Sequence, residues 1–111
     1  MLDPIAREVL LAFWKVHILR HAQEGPVYGQ ALIEELRRHG FRLSPGTLYP
    51  LLARMEEHGW LRARRQPEAG PKARCEYSIT ARGARVLRQI RQQVEELYRE
   101  VVVEAGRQGR R

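Results

Sequence analysis

Apolar positions follow a helical period as far as residue 59, alternate in two short runs, and return to a helical period after residue 80. Residues 4–21 read as a first helix, with Asp3 as N-cap and Pro4 in the first helical position. Its apolar residues form two stripes on an ideal wheel. Ile5, Val9, Ala12, Phe13, Val16 and Leu19 make one; Leu10, Leu11, Trp14 and Ile18 make the other. A surface helix of a monomer needs one apolar stripe, so two predict a helix held between its own core and a second surface. Gly25-Pro26 breaks the pattern. A second helix is predicted from about Tyr28 to Arg38, with Leu32, Ile33 and Leu36 inward and Gly40 as its stop. Ser44 and Pro45 supply an N-cap and a helix-starting proline for a third helix, which runs to His58 and stops at Gly59. Leu48, Leu51, Leu52 and Met55 form its inward row; Pro50 lies within it and cannot donate to the carbonyl of Gly46.

Leu61 and Ala63 alternate with Arg62 and Arg64, and Cys75, Tyr77 and Ile79 with Arg74, Glu76 and Ser78. Pro67 to Pro71 lies between these runs, which predicts a β-hairpin with a basic outer side. Thr80 then caps a long last helix ending near Ala105. Leu87, Ile90, Val94, Leu97 and Val101 step by three and four along it, which is a heptad seam. The predicted fold is mostly α with a small β-hairpin. Its organisation is a domain over residues 1–80, a dimerisation helix over 81–105 and a polar tail over 106–111. The seam, with Leu10, Trp14 and Ile18 from the first helix, is the predicted dimer interface.

Charge adds a partner class. The chain of 111 residues has a formal net charge of +7. Residues 1–60 balance seven basic against seven acidic side chains, whereas residues 61–111 carry 13 basic and six acidic. Nearly all the basic residues are arginine, the better fork for phosphate and guanine edges. A small basic domain of this kind predicts a polyanionic partner. No apolar run approaches the ~18 residues of a membrane span. Cys75 stands alone, so an intrachain disulfide is excluded and a cytoplasmic protein is expected.

Helix, helix, turn, helix, then a two-stranded ribbon is the order of a winged helix-turn-helix, whose second tight helix enters the DNA major groove while the ribbon lies on the flanking backbone. The outward face of the third helix offers Gly46, Thr47, Pro50, Ala53 and Arg54, residues small or hydrogen-bonding enough for close approach to a groove. Thr47 suits a phosphate or a thymine methyl, Arg54 a phosphate or guanine, and Tyr49 and Tyr28 a phosphate. Ser44 stands at the helix N-terminus, which itself favours phosphate. Arg64, Arg65, Lys72 and Arg74 give the ribbon its basic backbone contacts.

The string SPGTLYPLLARMEEHG over residues 44–59 resembles the recognition-helix signature of the PadR family of bacterial transcriptional regulators. Tyr28-Gly29 is similar to that family's tyrosine-glycine, and Gly70-Pro71, Arg74, Tyr77 and Thr80-Ala81-Arg82-Gly83 are similar to its wing and the entry to its last helix. The resemblance covers residues 8–105 and is to the short subgroup with one C-terminal helix. It departs at Glu76, where the family often carries a tyrosine beside the position of Tyr77. The resemblance implies a homodimeric repressor that reads an inverted repeat in double-stranded DNA and is released by a small planar or hydrophobic effector. Phe13, Trp14, His17, His21 and Tyr98 place aromatic and imidazole groups on the helices assigned to the dimer and are the candidate effector wall; plain interface core is the other reading of the same residues.

Other chemistry finds little support. His17 and His21 stand four apart, a spacing that can bind zinc, but no third ligand is visible along the sequence, so no metal and no cofactor is expected. Cys75 shares the apolar parity of its strand, as a buried inert thiol would. No nucleophile–base–acid set or phosphate-binding glycine loop is present, and the chain reads as no enzyme. The competing class is a winged-helix protein-interaction adaptor without DNA binding, which has no need of an arginine-rich wing.

Overall fold

The computed structural model describes residues 4–65 and 75–108. Helix α1 spans Pro4–Glu24, longer than predicted. Trp14, Ile18, Leu19 and Ala22 are its buried residues, with Leu10, Leu11 and Val16 partly buried beside them. This corrects the reading of its faces. Trp14 and Ile18, predicted at a subunit interface, lie in the protomer's own core, and Leu10 packs against it. The large apolar residues left in solvent, among those described, are Val9 and Phe13, from the other stripe. The indole Nε1 of Trp14 is buried with no hydrogen-bond partner among the described residues. The cost is tolerated because the ring fills core space.

Pro26 disfavours a helical residue before it and is followed by two good strand formers. Val27–Tyr28 accordingly form a two-residue strand, β1. Helix α2 therefore spans Gly29–Arg38, one residue later than predicted, with Leu32, Ile33 and Leu36 buried. Helix α3 spans Pro45–Glu57 and continues through Pro50, which lies on its exposed side. Leu48, Leu51, Leu52 and Met55 form its buried row. Both helices end by the same backbone device. Gly40 and Gly59 adopt φ of 89° and 77°, conformations that favour glycine. Gly40 N–H donates to Arg37 O and Phe41 N–H to Leu36 O; Gly59 N–H donates to Glu56 O and Trp60 N–H to Met55 O, all at 2.9–3.0 Å. This is the paired bonding of a Schellman motif.

Strands β2 (Leu61–Arg65) and β3 (Cys75–Ile79) pair antiparallel, with Leu61 opposite Ile79, Ala63 opposite Tyr77 and Arg65 opposite Cys75. The sheet has three strands rather than the two of the predicted hairpin. β1 joins the outer edge of β3, with Val27 opposite Tyr77 and Tyr28 opposite Glu76, in the order β1-β3-β2. Tyr77 is buried, and burial is the first cause that pushes its phenol up to about 12. Residues 66–74, on which the predicted turn, Lys72 and Arg74 fall, lie outside the described residues.

Helix α4 spans Ala81–Tyr98 and passes through a π-helical stretch, Arg99–Glu104, into α5, Ala105–Gln108. Gly106–Gln108, expected in a polar tail, are helical. Leu87 is buried and Ile90 partly so, which places the first seam positions in the protomer core. α4 packs on α1, where Arg91 Nη2 donates to Gln23 Oε1 at 2.6 Å. Val94, Leu97, Tyr98, Val101 and Val102 expose between 46% and 58% of their surface. No helix among the described residues is long and apolar enough to cross a membrane.

Thr80 joins these parts. Its Oγ1 accepts from Gly83 N–H at 3.0 Å, the predicted cap, and its hydroxyl donates to Gly59 O at 2.6 Å. Its own N–H donates to Trp60 O at 3.0 Å. A Cβ at Gly83 would stand 2.2 Å from the Trp60 carbonyl oxygen, while one at Gly106 meets nothing. Gly83→Ala is expected to destabilise the fold by about 2 kcal/mol or more, and Thr80→Ala by about 1 kcal/mol. Gly106→Ala should stabilise by about 0.5–1 kcal/mol, as alanine does within a helix. Urea midpoints at one fixed chain concentration check this order; equal midpoints for Gly83→Ala and Gly106→Ala contradict it.

Candidate nucleic-acid interface

Because α3 turns Leu48, Leu51, Leu52 and Met55 inward, its opposite side carries Ser44, Gly46, Tyr49, Pro50, Ala53 and Arg54 in solvent, with Thr47 half-buried at the edge. Ser44 occupies the predicted N-cap position, but its side chain does not bond the helix backbone. Its carbonyl accepts from the N–H groups of Thr47 and Leu48 at 3.0 Å, and its Oγ donates to Thr47 Oγ1 at 3.3 Å. Thr47 Oγ1 also accepts from Arg7 Nη2 of α1 at 3.2 Å. A hydroxyl that accepts two bonds keeps its own proton as a donor. Arg7 therefore adds a cation at the start of α3, where the helix dipole already favours an anion. The sequence reading missed Arg7, and forty residues of separation leave no local signal for it.

Tyr49 lies across the N-terminus of α2. A Cβ on Gly29 would come within 2.6 Å of its ring and hydroxyl, so the glycine that follows Tyr28 is the space in which Tyr49 rests. Tyr28, Tyr49, Ala53 and Arg65 share the rim of one cleft of about 650 Å³, together with Cys75 and Tyr77. The fold thus brings predicted residues from β1, α3 and β2 to one place. Cys75, expected buried, is half-buried there. Tyr28 differs from its predicted role in one respect: its hydroxyl donates to Glu76 Oε2 at 3.0 Å. The departure at Glu76 has a physical use, since this carboxylate ties β1 to β3. Glu76 is also registered opposite Arg64, which is exposed with Arg65 on β2.

The predicted effector wall divides in two. Phe13 and His17 of α1 line a groove of about 870 Å³ against Leu87, Val94, Leu97, Tyr98, Val101 and Val102. Burial, and then the nearby His39 and His21, hold the His17 imidazole below its usual value, so its ring stays neutral at pH 7 and suits an apolar wall. Trp14 faces the core instead, and His21 lines a separate recess with Glu35 and His39. The groove follows the exposed seam positions, so the candidate dimer surface and the candidate effector wall are largely the same surface.

Comparison with known proteins agrees with this geometry. The family model described as "Transcriptional regulator PadR-like family" matches residues 18–89. The chain is 45% identical over 96 residues to Transcriptional regulator Rv3488 of Mycobacterium tuberculosis, an alignment covering 86% of this chain and 89% of that one. Among solved structures, a PadR family transcriptional regulator from Eggerthella lenta is 34% identical with a TM-score of 0.71, covering 89% of this chain and 90% of that one. A PadR-like regulator from Bacillus cereus is 30% identical with a TM-score of 0.72, over 89% and 93%. A PadR-like transcription factor from Bacteroides fragilis, at 23% identity, shares the fold with a TM-score of 0.77 over 89% and 96%. The matched span includes α2, α3 and the wing, and the proteins matched are transcriptional regulators rather than enzymes. With its winged helix, its half-exposed recognition helix and these relatives, the chain belongs to the PadR-like family of transcriptional regulators.

Proposed function

We propose that the chain acts as a homodimeric repressor that reads an inverted repeat in double-stranded DNA, with residues 1–80 as the reading domain and 81–105 as the dimerisation helix. The observation that carries this is the outward side of α3, free of acidic side chains from Ser44 to Arg54 and flanked by Arg7 and Arg65. Thr47 and Arg54 are the base-reading candidates. Ser44, Gly46, Tyr49 and Pro50 form the close-approach surface, and Arg64, Arg65, Lys72 and Arg74 hold backbone phosphates. Tyr28 acts through Glu76, by holding β1 to the wing. A two-fold axis places two such faces on the DNA, with half-sites about 34 Å or a multiple of it apart.

The exposed row Val94, Leu97, Tyr98, Val101 and Val102, with Val9 and Phe13, supports the dimer, because a contiguous apolar strip of this extent marks an interaction surface. Ile90 and Leu87 anchor the same helix in the protomer. The groove at Phe13, His17 and Tyr98 is the seat proposed for a planar or hydrophobic effector.

A dimer making about six to ten phosphate contacts should lose on the order of 10³–10⁵ in affinity between about 50 and 200 mM salt. Arg64→Ala and Arg65→Ala should weaken all duplex sequences alike and flatten that salt slope, whereas Thr47→Val and Arg54→Ala should change sequence preference. Fluorescence anisotropy on a panel of duplexes reads both. No binding to any duplex favours the adaptor without DNA, and salt-independent binding removes the phosphate contacts assigned to the arginines.

Val94→Asp should halve the molar mass seen by light scattering, because it sets a charge in the strip without touching the protomer core. A variant that stays dimeric removes α4 from the interface. An effector in the groove should lower DNA affinity by the same factor by which DNA lowers effector affinity. A panel of planar aromatics that leaves DNA affinity unchanged in anisotropy titrations reduces the groove to packed interface.

A further inference from the structure

His17 and His21 point to no metal site along α1, but the fold supplies what the sequence spacing lacks. Helix α2 presents Glu35 and, at its C-cap, His39 beside His21. One ligand atom from each of the three lies within 4.8 Å of the others. Glu35 Oε1 and His39 Nε2 are 3.6 Å apart, and the His21 and His39 ring centroids 6.0 Å. Ligands about 2.0–2.2 Å from a tetrahedral ion stand roughly 3.3–3.6 Å from one another. The Glu35–His39 edge already has that length. His39, at the C-cap of α2, is the most exposed of the three residues.

We infer that His21, Glu35 and His39 form a binding site for a borderline divalent transition-metal ion of the Zn²⁺ kind, bridging α1 and α2. Two imidazoles and one carboxylate form the donor set such ions take, and calcium or magnesium would need oxygen ligands the site lacks. The surroundings are those of a supported site. Arg38 Nη1 donates to Glu35 Oε2 at 2.9 Å, which holds the carboxylate by one oxygen and leaves the other directed at His39. Arg20 pairs with Glu24, so its charge is compensated outside the cluster. His17 stacks on His39 at 5.6 Å and meets Phe41 at 4.9 Å, backing the ring from the protein side. The recess in front, of about 610 Å³, opens to solvent and leaves room for water as the remaining ligand. An ion there ties α1 to the turn that leads into α3, independently of whether the chain binds DNA.

The test uses the purified full chain and two probes, Zn²⁺ by calorimetry and Co²⁺ by its visible absorption. The expected result is one ion per chain, with His21→Ala, His39→Ala and Glu35→Gln each weakening binding by about tenfold or more. His58→Ala, at a histidine remote from the three ligands, should bind as the parent does. Saturating Zn²⁺ should raise the melting temperature of the parent and of His58→Ala but not of His39→Ala, a comparison made only after metal-free circular dichroism shows each variant folded. Binding that survives all three substitutions, that disappears with His58→Ala, or that is absent from the parent overturns the site.

Discussion

The placement of α4 and the wing strands relative to α3 passes through a few atoms where α3 ends, β2 begins, β3 ends and α4 starts. The Trp60 carbonyl accepts the Thr80 N–H, and Gly83 packs so tightly on that carbonyl that no side chain fits. The Thr80 hydroxyl holds the last turn of α3 through Gly59 while its oxygen caps α4. One threonine thereby fixes the exit of α4 relative to the end of α3. The distance and angle between the outward side of α3 and the apolar strip of α4 follow from it. Each contact is backbone or one short side chain, so the joint has little rotamer freedom to lose or to exploit.

Much of this was legible in the sequence. The periods of α2, α3 and α4, the glycine stops and the Thr80 cap all lie within a few residues of what they control. What was not legible depends on distant partners. β1 is two residues long and exists because β3 has an open edge; no alternation over Val27 and Tyr28 could announce it. The two stripes of α1 are equally apolar, so a wheel cannot decide which one the core takes. The core took Trp14 and Ile18 together with Leu19, and Phe13 was left for the groove. In the candidate interface, Thr47, Tyr49 and Arg54 sit where their spacing put them, but Arg7 and the use of Tyr28 on Glu76 required the tertiary structure. The same holds for His21 with Glu35 and His39, which no single helix contains.

Charge along α4 runs against its own helix dipole. Arg82, Arg85, Arg88 and Arg91 occupy the half near the positive N-terminus, while Glu95, Glu96, Glu100 and Glu104 follow toward the negative end. A helix selected for its own stability carries the reverse order. Arg99 offsets part of the acidic half by pairing with Glu95 and Glu96, both solvent-exposed and therefore weak contacts. The arrangement extends the basic field of the wing along the first turns of α4 and collects negative charge at the far end. A polyanion approaching the molecule meets a gradient rather than a uniformly positive body.

The ends of α2 and α3 carry a consequence for how such a protein can change over evolutionary time. Both helices stop by backbone bonds around a glycine with positive φ, and neither stop uses a side chain from the outward side of α3. The ends of both helices are therefore set by elements that a substitution on the outward side of α3 need not touch. Thr47, Ala53 and Arg54 can be exchanged for other residues while the scaffold keeps its shape. On the function proposed above, diversification of the sequence read is separated from the cost of rebuilding the reader.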